Sequence, residues 1–468
     1  MHRVKAQELR GASTMAGTKN PAAAAATPSP PPTRPRPRPR RRPFNTLITL
    51  SFLLISAGSL WTMRIDTALH GVPRDFAPQV ESGQLSASTF FSSPSPSSPA
   101  LILRKHYTGL AALDEALAFL VAAFIAGPAA AATEGGWGAV RLQQLHFLVS
   151  FYAVVAAWAV EACRARRRSV AWTAPWALLY QTVGAAVVVP LFCVAHLAAA
   201  DDDDGDTAAG GVKRGEEGGR RQRQVMRPGY ARALLPATAV AYLVPTLAMY
   251  AHGHWGGDLH ATQGLIAFWQ AAPLLVDVLL VLFASLPSIP VSVENKKDGR
   301  KSDLPHLQRL YLFAAIVSAL AHLGTLYCIF FSASASASLS RLAFFAHVFL
   351  PSRATWHDST ALGLHWIFQW DWLGVVAASL LWCWVLVCDV LRLLRRTSGG
   401  GGGGGRKWLF EVGAAGAAII AIAVVVGPGT AVAAVWSWRE DKLALLEGED
   451  RGEDEDEDGT EAGKRKVA

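Results

Sequence analysis

The sequence predicts an all-α fold, a polytopic transmembrane helical bundle of about eight or nine spans. The chain of 468 residues is 51% hydrophobic and only 17% charged, whereas a soluble domain carries about 25% charged residues. Apolar runs near the roughly 20 residues that cross a bilayer recur along it. Short Lys and Arg clusters stand beside these runs, as expected of residues that orient membrane helices. The net charge of +8 therefore indicates membrane topology, and no nucleic acid is expected as a partner.

The N-terminal part divides into three segments. Residues 1–43 are rich in Ala, Pro and Arg, which predicts a disordered basic arm because such a composition cannot bury a core. Residues 44–62 begin too far from the N-terminus for an ordinary signal peptide, so we interpret them as an uncleaved membrane anchor. Residues 63–105 are rich in Ser and Pro and are predicted to form a surface loop.

The core bundle is predicted over residues 106–396. A flexible, acidic and glycine-rich insert is expected at 200–228. Residues 397–438 contain a glycine linker and a final span, and residues 439–468 are predicted to be a disordered acidic tail. After the anchor, runs of spanning length begin near these residues: Leu110, Leu142, Trp172, Tyr230, Gln263, Leu307, Trp370 and Lys407.

The basic clusters predict the orientation of the bundle. On a nine-span count, the N-terminal arm and three later basic loops share one side of the membrane, which the preference of Lys and Arg for the inner side makes cytoplasmic. The basic cluster at residues 164–168 disagrees, because it falls on the opposite side. One of the early spans is therefore expected to be re-entrant or miscounted.

Asp277 is the deepest carboxylate of the predicted spans. A charged side chain at the bilayer centre costs roughly 2.5 to 3.5 kcal/mol on insertion scales, so it normally faces a protein interior or a cavity. Gln263, Gln270 and Asp277 recur at heptad spacing, which places them on one face of a helix that Pro273 can kink. The structural alternative is that Asp277 only bonds a hydroxyl or amide of a neighbouring helix.

Two further carboxylates are candidates. Glu161 lies in line with Gln143 on an ideal helix, with His146 close to that line, although Arg164 and Arg166 could simply pair with Glu161 at the interface. Asp371 stands between two tryptophans, which could form a pocket that tolerates a cation. An aromatic belt at the membrane interface would explain the same tryptophans.

No metal site and no cofactor site is expected. The five cysteines lie in or beside apolar segments without CxxC spacing, so disulfides and a cysteine-metal site are disfavoured. The loop from His252 to His260 holds three histidines but matches no helical metal motif, and we interpret it as a polar turn. The sequence patterns of hydrolase triads and nucleotide-binding loops are absent.

Scattered motifs between about residues 100 and 395 resemble a known family. They are His106-Tyr107-Thr108-Gly109, Leu113-Asp114, Gln144-Leu145-His146-Phe147, Leu179-Tyr180-Gln181, Pro190-Leu191-Phe192, Trp269-Gln270 with Pro273, Val348-Phe349-Leu350-Pro351 and Phe368-Gln369-Trp370-Asp371. Together they look like the fungal membrane-bound terpene cyclases of the ascochlorin and ascofuranone type, found in secondary-metabolite gene clusters. The basic arm, the insert and the final span lie outside the resemblance.

The resemblance implies an enzyme that protonates the terminal epoxide of a prenylated or terpenoid substrate, whose cation is then captured by an alkene or an internal oxygen. A carboxyl group could be the general acid, and aromatic faces could stabilise the cation. Asp277, Glu161 and Asp371 are the candidate acids. His146 and Gln270 are the candidates for orienting or accepting a proton.

Alternatives remain open at this point. The same acid could open an epoxide on a polyene polyketide, as an epoxide hydrolase or cyclase. A small-molecule transporter would use buried carboxylates and histidines as a path, although no internal repeat relates two halves of the chain. A membrane scaffold would use none of them. The expected partners are a hydrophobic small-molecule substrate and the lipid bilayer, and the resemblance implies an endoplasmic reticulum membrane and allows association with other membrane-bound pathway enzymes.

Overall fold

A computed structural model gives the structure of the protein. The predicted basic arm, the acidic tail and most of the insert and of the glycine run lie outside the described residues. The structure describes residues 45–86, 88–90, 100–129, 138–164, 173–206, 226–254, 258–286, 303–332, 340–397 and 405–446.

The predicted all-α fold class is confirmed, because the described residues are almost wholly helical. One short antiparallel ladder pairs Gln84 with Ile102 and Leu85 with Leu101. In chain order the helices are α1 (Asn45–Leu69), α2 (Phe76–Ser82), α3 (Ala111–Phe124), α4 (Ala139–Arg164), α5 (Thr173–Val183), α6 (Ala185–Asp206), α7 (Pro228–Gly253), α8 (Leu259–Trp269), α9 (Ala272–Ser285), α10 (Leu304–Phe331), α11 (Arg341–Phe349), α12 (Thr360–Thr397), α13 (Gly405–Val425) and α14 (428–446).

Six helices in the described part of the chain are long and apolar enough to cross a bilayer, namely α1, α4, α7, α10, α12 and α13. A seventh span results if the bent pair α8 and α9 is counted as one. This number is smaller than the expected eight or nine. The apolar run near Leu110 yields only the 14 residues of α3, and the run near Trp172 is divided between α5 and the short apolar stretch Ala185–Ala199.

Helix α4 occupies the centre of the packing. In the apolar stretch of α4, 78% of the residues are buried, against 17% in the apolar stretch of α13. Helix α10 packs on α4, and α6 packs between α1 and α12. Within this core, the ring of Trp158 stacks on Phe192 with centroids 4.1 Å apart, and Trp382 meets Trp436 edge to face at 4.9 Å.

Helix α1 packs against this core along one face. The anchor predicted over residues 44–62 continues as a helix to Leu69, through a π-helical turn at Trp61–Asp66. The hydroxyl of Ser56 donates to the carbonyl of Val187 over 2.8 Å, which ties α1 to α6. This extension brings residues of α1 against the interior of the bundle.

Two helix breaks divide apolar runs that the sequence predicts to be continuous spans. Gly184 separates α5 from α6 and has a φ of +116°, a conformation that favours glycine. Helices α8 and α9 meet at an angle of 62°, with Pro273 in the first turn of α9, where proline is tolerated. The predicted kink is present. The expectation that Gln263, Gln270 and Asp277 lie on one helix face is wrong, because the helix that would align them is broken between α8 and α9.

Candidate active site

A cavity of about 140 Å³ lies among α1, α3, α4, α5 and α12. Its wall is mostly apolar, and Arg64 and Asp371 are the charged residues that line it. Among the aromatic residues in the wall are Phe76, Phe124, Phe151, Tyr180, Trp269 and Phe368. The cavity is thus mostly apolar, with one guanidinium and one carboxyl group in its wall.

The aromatic wall is held by ring-to-ring contacts. The ring of Phe124 meets Trp269 and Phe368 with centroids 5.2 and 5.0 Å apart, and Phe151 meets Tyr180 edge to face at 5.2 Å. Such contacts add about 0.5 to 1.5 kcal/mol each beyond the buried area. The ring faces and edges are therefore fixed before any ligand arrives.

Asp371 reaches the cavity from α12, at the break between α5 and α6. Its Oδ1 accepts a hydrogen bond from the backbone nitrogen of Ala186 over 2.6 Å. The residue is 9% exposed. The first turn of a helix has free N–H groups and a partial positive charge, so it favours a carboxyl group at this point.

Gly184 leaves room beside this carboxyl group. A Cβ atom at Gly184 would lie 2.6 Å from Cε of Met63 and 3.5 Å from Oδ1 of Asp371. The first distance is shorter than real Cβ contacts allow. A side chain at this position would displace the Met63 methyl group, and the positive φ would strain any residue other than glycine.

Arg64 reaches the other side of the same break from α1. Its Nε donates to the carbonyl of Val183 over 3.1 Å, and its Nη2 donates to the carbonyl of Thr182 over 2.9 Å. These carbonyls belong to the last turn of α5, which has no helical partners for them. Arg64 thus binds free carbonyl groups at the end of α5, and Asp371 binds a free amide group at the start of α6.

Asp277 does not line this cavity. Its Oδ1 accepts from the hydroxyl of Thr173, and its Oδ2 accepts from the backbone nitrogen of Ala174 over 3.1 Å. Both groups stand at the start of α5. The geometry is that of a carboxylate that caps a neighbouring helix, which was the structural alternative for this residue.

Glu161 belongs to a buried charge network at the end of α4. His196 Nε2 lies 3.0 Å from its Oε2, and guanidinium nitrogens of Arg164 and Arg439 lie 3.6 Å from its Oε1. Arg164 also makes two hydrogen bonds of 2.7 Å to Glu440. Arg164 therefore pairs with carboxylates inside the protein. Glu161 does not line the cavity.

His146 and Gln270, the predicted partners of the acid, are buried in other places. Nε2 of His146 lies 3.1 Å from Nδ1 of His322, and Nε2 of His322 lies 3.1 Å from the carbonyl of Val424. Gln270 is 5% exposed, and its amide atoms have no hydrogen-bond partner in the described part of the chain. The structure therefore brings one of the five predicted residues, Asp371, to the cavity.

The motif from His106 to Gly109 forms a loop around Asp114. The Asp114 carboxylate accepts from the backbone nitrogens of Tyr107, Thr108 and Gly109 and from the Thr108 hydroxyl, over 2.7 to 3.1 Å. The Thr108 amide, with the other donors, lowers the pKa of Asp114 from 3.8 to about 2. This carboxylate organises the loop that precedes α3.

Two residues of the site were missed in the sequence. Arg64 carried a signal, since an ionisable residue beside an apolar run marks a functional position when it faces the protein interior. The predicted anchor ends at residue 62, so the sequence does not indicate that Arg64 lies within the same helix. Gly184 gave no comparable signal, because its role depends on the neighbouring helix that supplies Met63.

Comparison with known proteins identifies the family. The CtvD domain profile matches residues 77–444. This range is wider than the resemblance over about residues 100 to 395 suggested, and it includes the insert and the final span. No solved structure gives a significant match.

Three curated relatives are similar to parts of the chain. The chain is 27% identical to terpene cyclase DEP1 of Alternaria brassicicola over 46% of this chain and 58% of that protein. It is 27% identical to FAD-dependent monooxygenase verC1 of Penicillium polonicum over 47% of this chain and 24% of that protein. It is 27% identical to terpene cyclase DEP1 of Fusarium langsethiae over 61% of this chain and 74% of that protein.

The chain thus spans less than two thirds of the length of the first two relatives. The resemblance to fungal terpene cyclases is nevertheless confirmed, because the two DEP1 proteins carry that name and the domain profile covers most of the sequence. The chain belongs to the CtvD-domain family.

Proposed function

We propose that this protein is an integral membrane terpene cyclase that opens a terminal epoxide on a prenylated or terpenoid chain, with Asp371 as the general acid. The observation that carries the proposal is the carboxyl group of Asp371 at the wall of an aromatic-lined cavity. A pocket of this kind, with few polar groups in an apolar wall, is typical of small-molecule sites.

The chemical step begins with Asp371 protonated. Its O–H bond breaks as a new O–H bond forms on the epoxide oxygen, and the C–O bond to the more substituted carbon breaks. The resulting cation is captured by an alkene or by an oxygen of the same substrate. The captured cation then loses one proton, which replaces the proton that Asp371 gave up, so that the carboxyl group is restored and the reaction is an isomerisation without a net change in atoms. General acid catalysis by a positioned group typically contributes about 10²- to 10⁴-fold in rate.

The cavity wall supports the cationic stage. Faces of Trp269 and of the phenylalanines around it can attract a positive charge, by about 0.5 to 2 kcal/mol for each well-placed ring. An apolar wall also excludes the water that would quench the cation. The aromatic contacts of Phe124 keep these rings in place.

The names of the relatives support this chemistry. Two are named terpene cyclases. A third is named an FAD-dependent monooxygenase, and flavin enzymes carry out oxygen chemistry of the kind that converts an alkene into an epoxide. We place the epoxide-opening reaction directly after such an oxidation.

The test is cyclisation by microsomes that carry the protein, with a farnesylated phenol bearing a terminal epoxide as substrate. Asp371→Asn keeps an oxygen for the amide of Ala186, so the start of α6 remains capped. We expect this variant to lose about 100-fold or more in kcat because it cannot donate the proton.

Two carboxylate variants serve as matched controls. Asp277→Asn and Glu161→Gln remove a carboxylate outside the cavity, and we expect each to retain cyclisation wherever the protein accumulates to the wild-type level. Full activity in Asp371→Asn, or a loss confined to Asp277→Asn, would overturn the assignment of the acid.

A further inference from the structure

Arg64 is oriented at the cavity wall by the end of α5. Its Nε and Nη2 are engaged by the carbonyls of Val183 and Thr182. Its Nη1 has no hydrogen-bond partner among the described residues, and the side chain lines the cavity. A guanidinium carries five N–H donors in a rigid fork, so donors remain for a bound molecule.

Arg64 and Asp371 flank the same short stretch of backbone. Arg64 binds the carbonyl of Val183, and Asp371 accepts from the amide of Ala186. Gly184 lies between them and contributes no side chain. The guanidinium and the carboxyl group, both in described parts of the chain, line one cavity without forming an ion pair with each other. A ligand in this cavity therefore meets both groups.

We propose that Arg64 donates a hydrogen bond from Nη1 to the substrate oxygen that Asp371 protonates. The ligand class is a neutral oxygen acceptor at the end of a hydrocarbon chain, because a guanidinium and a protonated carboxyl group both donate hydrogen bonds and the rest of the wall is mostly apolar. An epoxide oxygen has two lone pairs and can accept from both donors. No atom is transferred from Arg64; its N–H stabilises the negative charge that develops on oxygen as the C–O bond breaks.

This inference rests on the proposed function, but its test does not depend on turnover. The protein in nanodiscs of zwitterionic lipid is titrated with two unreactive probes, a farnesyl-length chain ending in a methyl ketone and the same chain ending in an alkene. Quenching of tryptophan fluorescence reports binding. A hydrogen bond to a charged group is worth about 1.5 to 3 kcal/mol, so we expect the ketone to bind the wild type about 10- to 100-fold more tightly than the alkene.

Arg64→Gln is expected to abolish this preference and to lower kcat for the epoxide substrate about 100-fold or more, with a smaller change in KM. Arg64→Lys separates this role from a structural one. Its ammonium can still bond the carbonyls at the end of α5, but it lacks the rigid fork. We expect Arg64→Lys to be more thermally stable than Arg64→Gln but to show no preference for the ketone over the alkene. Arg74→Gln, which removes an exposed guanidinium outside the cavity, is the matched control.

The outcomes separate the two proposals. An unchanged ketone preference and kcat in Arg64→Gln would overturn the role of Arg64 and leave the cyclase proposal intact. A ketone preference that depends on Arg64 in a protein that cyclises no epoxide would refute the cyclase proposal alone. Loss of the preference in nanodiscs that contain anionic lipid would support the same Nη1 donors and show that a negatively charged headgroup competes for them.

Discussion

Oδ1 of Asp371 lies 2.6 Å from the backbone nitrogen of Ala186, so a carboxyl group of α12 accepts a hydrogen bond from the first turn of α6. In a bilayer, backbone groups freed by a helix break must be satisfied within the protein or in a water-lined cavity. Asp371 and Arg64 satisfy the two sides of the break from different helices. The same contacts hold both charged groups at the wall of the cavity.

Substitution of Gly184 by Ala tests the importance of the break. A residue with a side chain at φ +116° is strained, and its Cβ would lie 2.6 Å from Cε of Met63. We expect the variant to lose about 1 to 3 kcal/mol of stability and most of its activity, because Met63 would move into the cavity. Thermal unfolding in detergent and cyclisation in microsomes measure the two effects.

Gly58→Ala is the control for that variant. Gly58 lies in α1, and a Cβ atom there would meet nothing within 4 Å. Glycine in the middle of a helix costs about 0.5 to 1 kcal/mol relative to alanine, so this variant should be equally or more stable. A Gly184→Ala protein as stable and active as Gly58→Ala would show that the break needs no glycine.

The ion pair between Arg164 and Glu440 predicts a large effect on stability. The side chains are 6% and 0% exposed, and removal of one partner leaves the other charge buried. Glu161 and Asp303 also face Arg164, at 3.6 and 4.0 Å, so we expect Glu440→Gln to lower stability by about 1 to 3 kcal/mol. Glu411→Gln removes the partner of Arg395 in a pair that is about a third exposed, and we expect it to cost roughly 0 to 1 kcal/mol. Equal unfolding temperatures for these two variants would contradict the contrast.

The Asp114 loop predicts a dependence on pH. The pKa of Asp114 is lowered from 3.8 to about 2 in the folded protein, so the ionised form stabilises the loop. This stabilisation is complete above the unfolded pKa of 3.8 and is lost as the pH falls through about 2. Amide exchange at residues 107–109, corrected for its intrinsic pH dependence, should accelerate over that range. Asp114→Asn should exchange rapidly at every pH, and equal protection in both proteins would refute this role of the carboxylate.

The sequence sufficed for the fold class, and it placed Asp371 among three candidate acids. Hydropathy and length reveal helices such as α4 and α10, because a membrane span needs a long apolar run. They overestimate the number of spans where a run contains a break. Gly184 divides one run into α5 and α6, and its effect depends on contacts with α1 and α12 that no local pattern encodes.

The structure distinguishes the surroundings of the three candidate acids, which the sequence does not. Asp277, Glu161 and Asp371 all lie in apolar helices, and this position alone does not distinguish a carboxylate that caps a helix from one that lines a cavity. Asp277 bonds the start of α5, and Glu161 pairs with cationic side chains. Both arrangements depend on residues distant in sequence. The heptad spacing of Gln263, Gln270 and Asp277 was misleading because the helix bends by 62° between α8 and α9.

The most direct test of the central claim is covalent capture of the acid by a saturated chain that ends in an epoxide. Such a chain has no alkene to trap the opened epoxide, so the Asp371 carboxyl group gives its proton to the epoxide oxygen and its oxygen then bonds to the opened carbon. We predict an ester on Asp371, mapped by mass spectrometry of peptides and absent from Asp371→Asn. An ester on Asp277 or Glu161 in its place, or no ester at Asp371, would contradict the account.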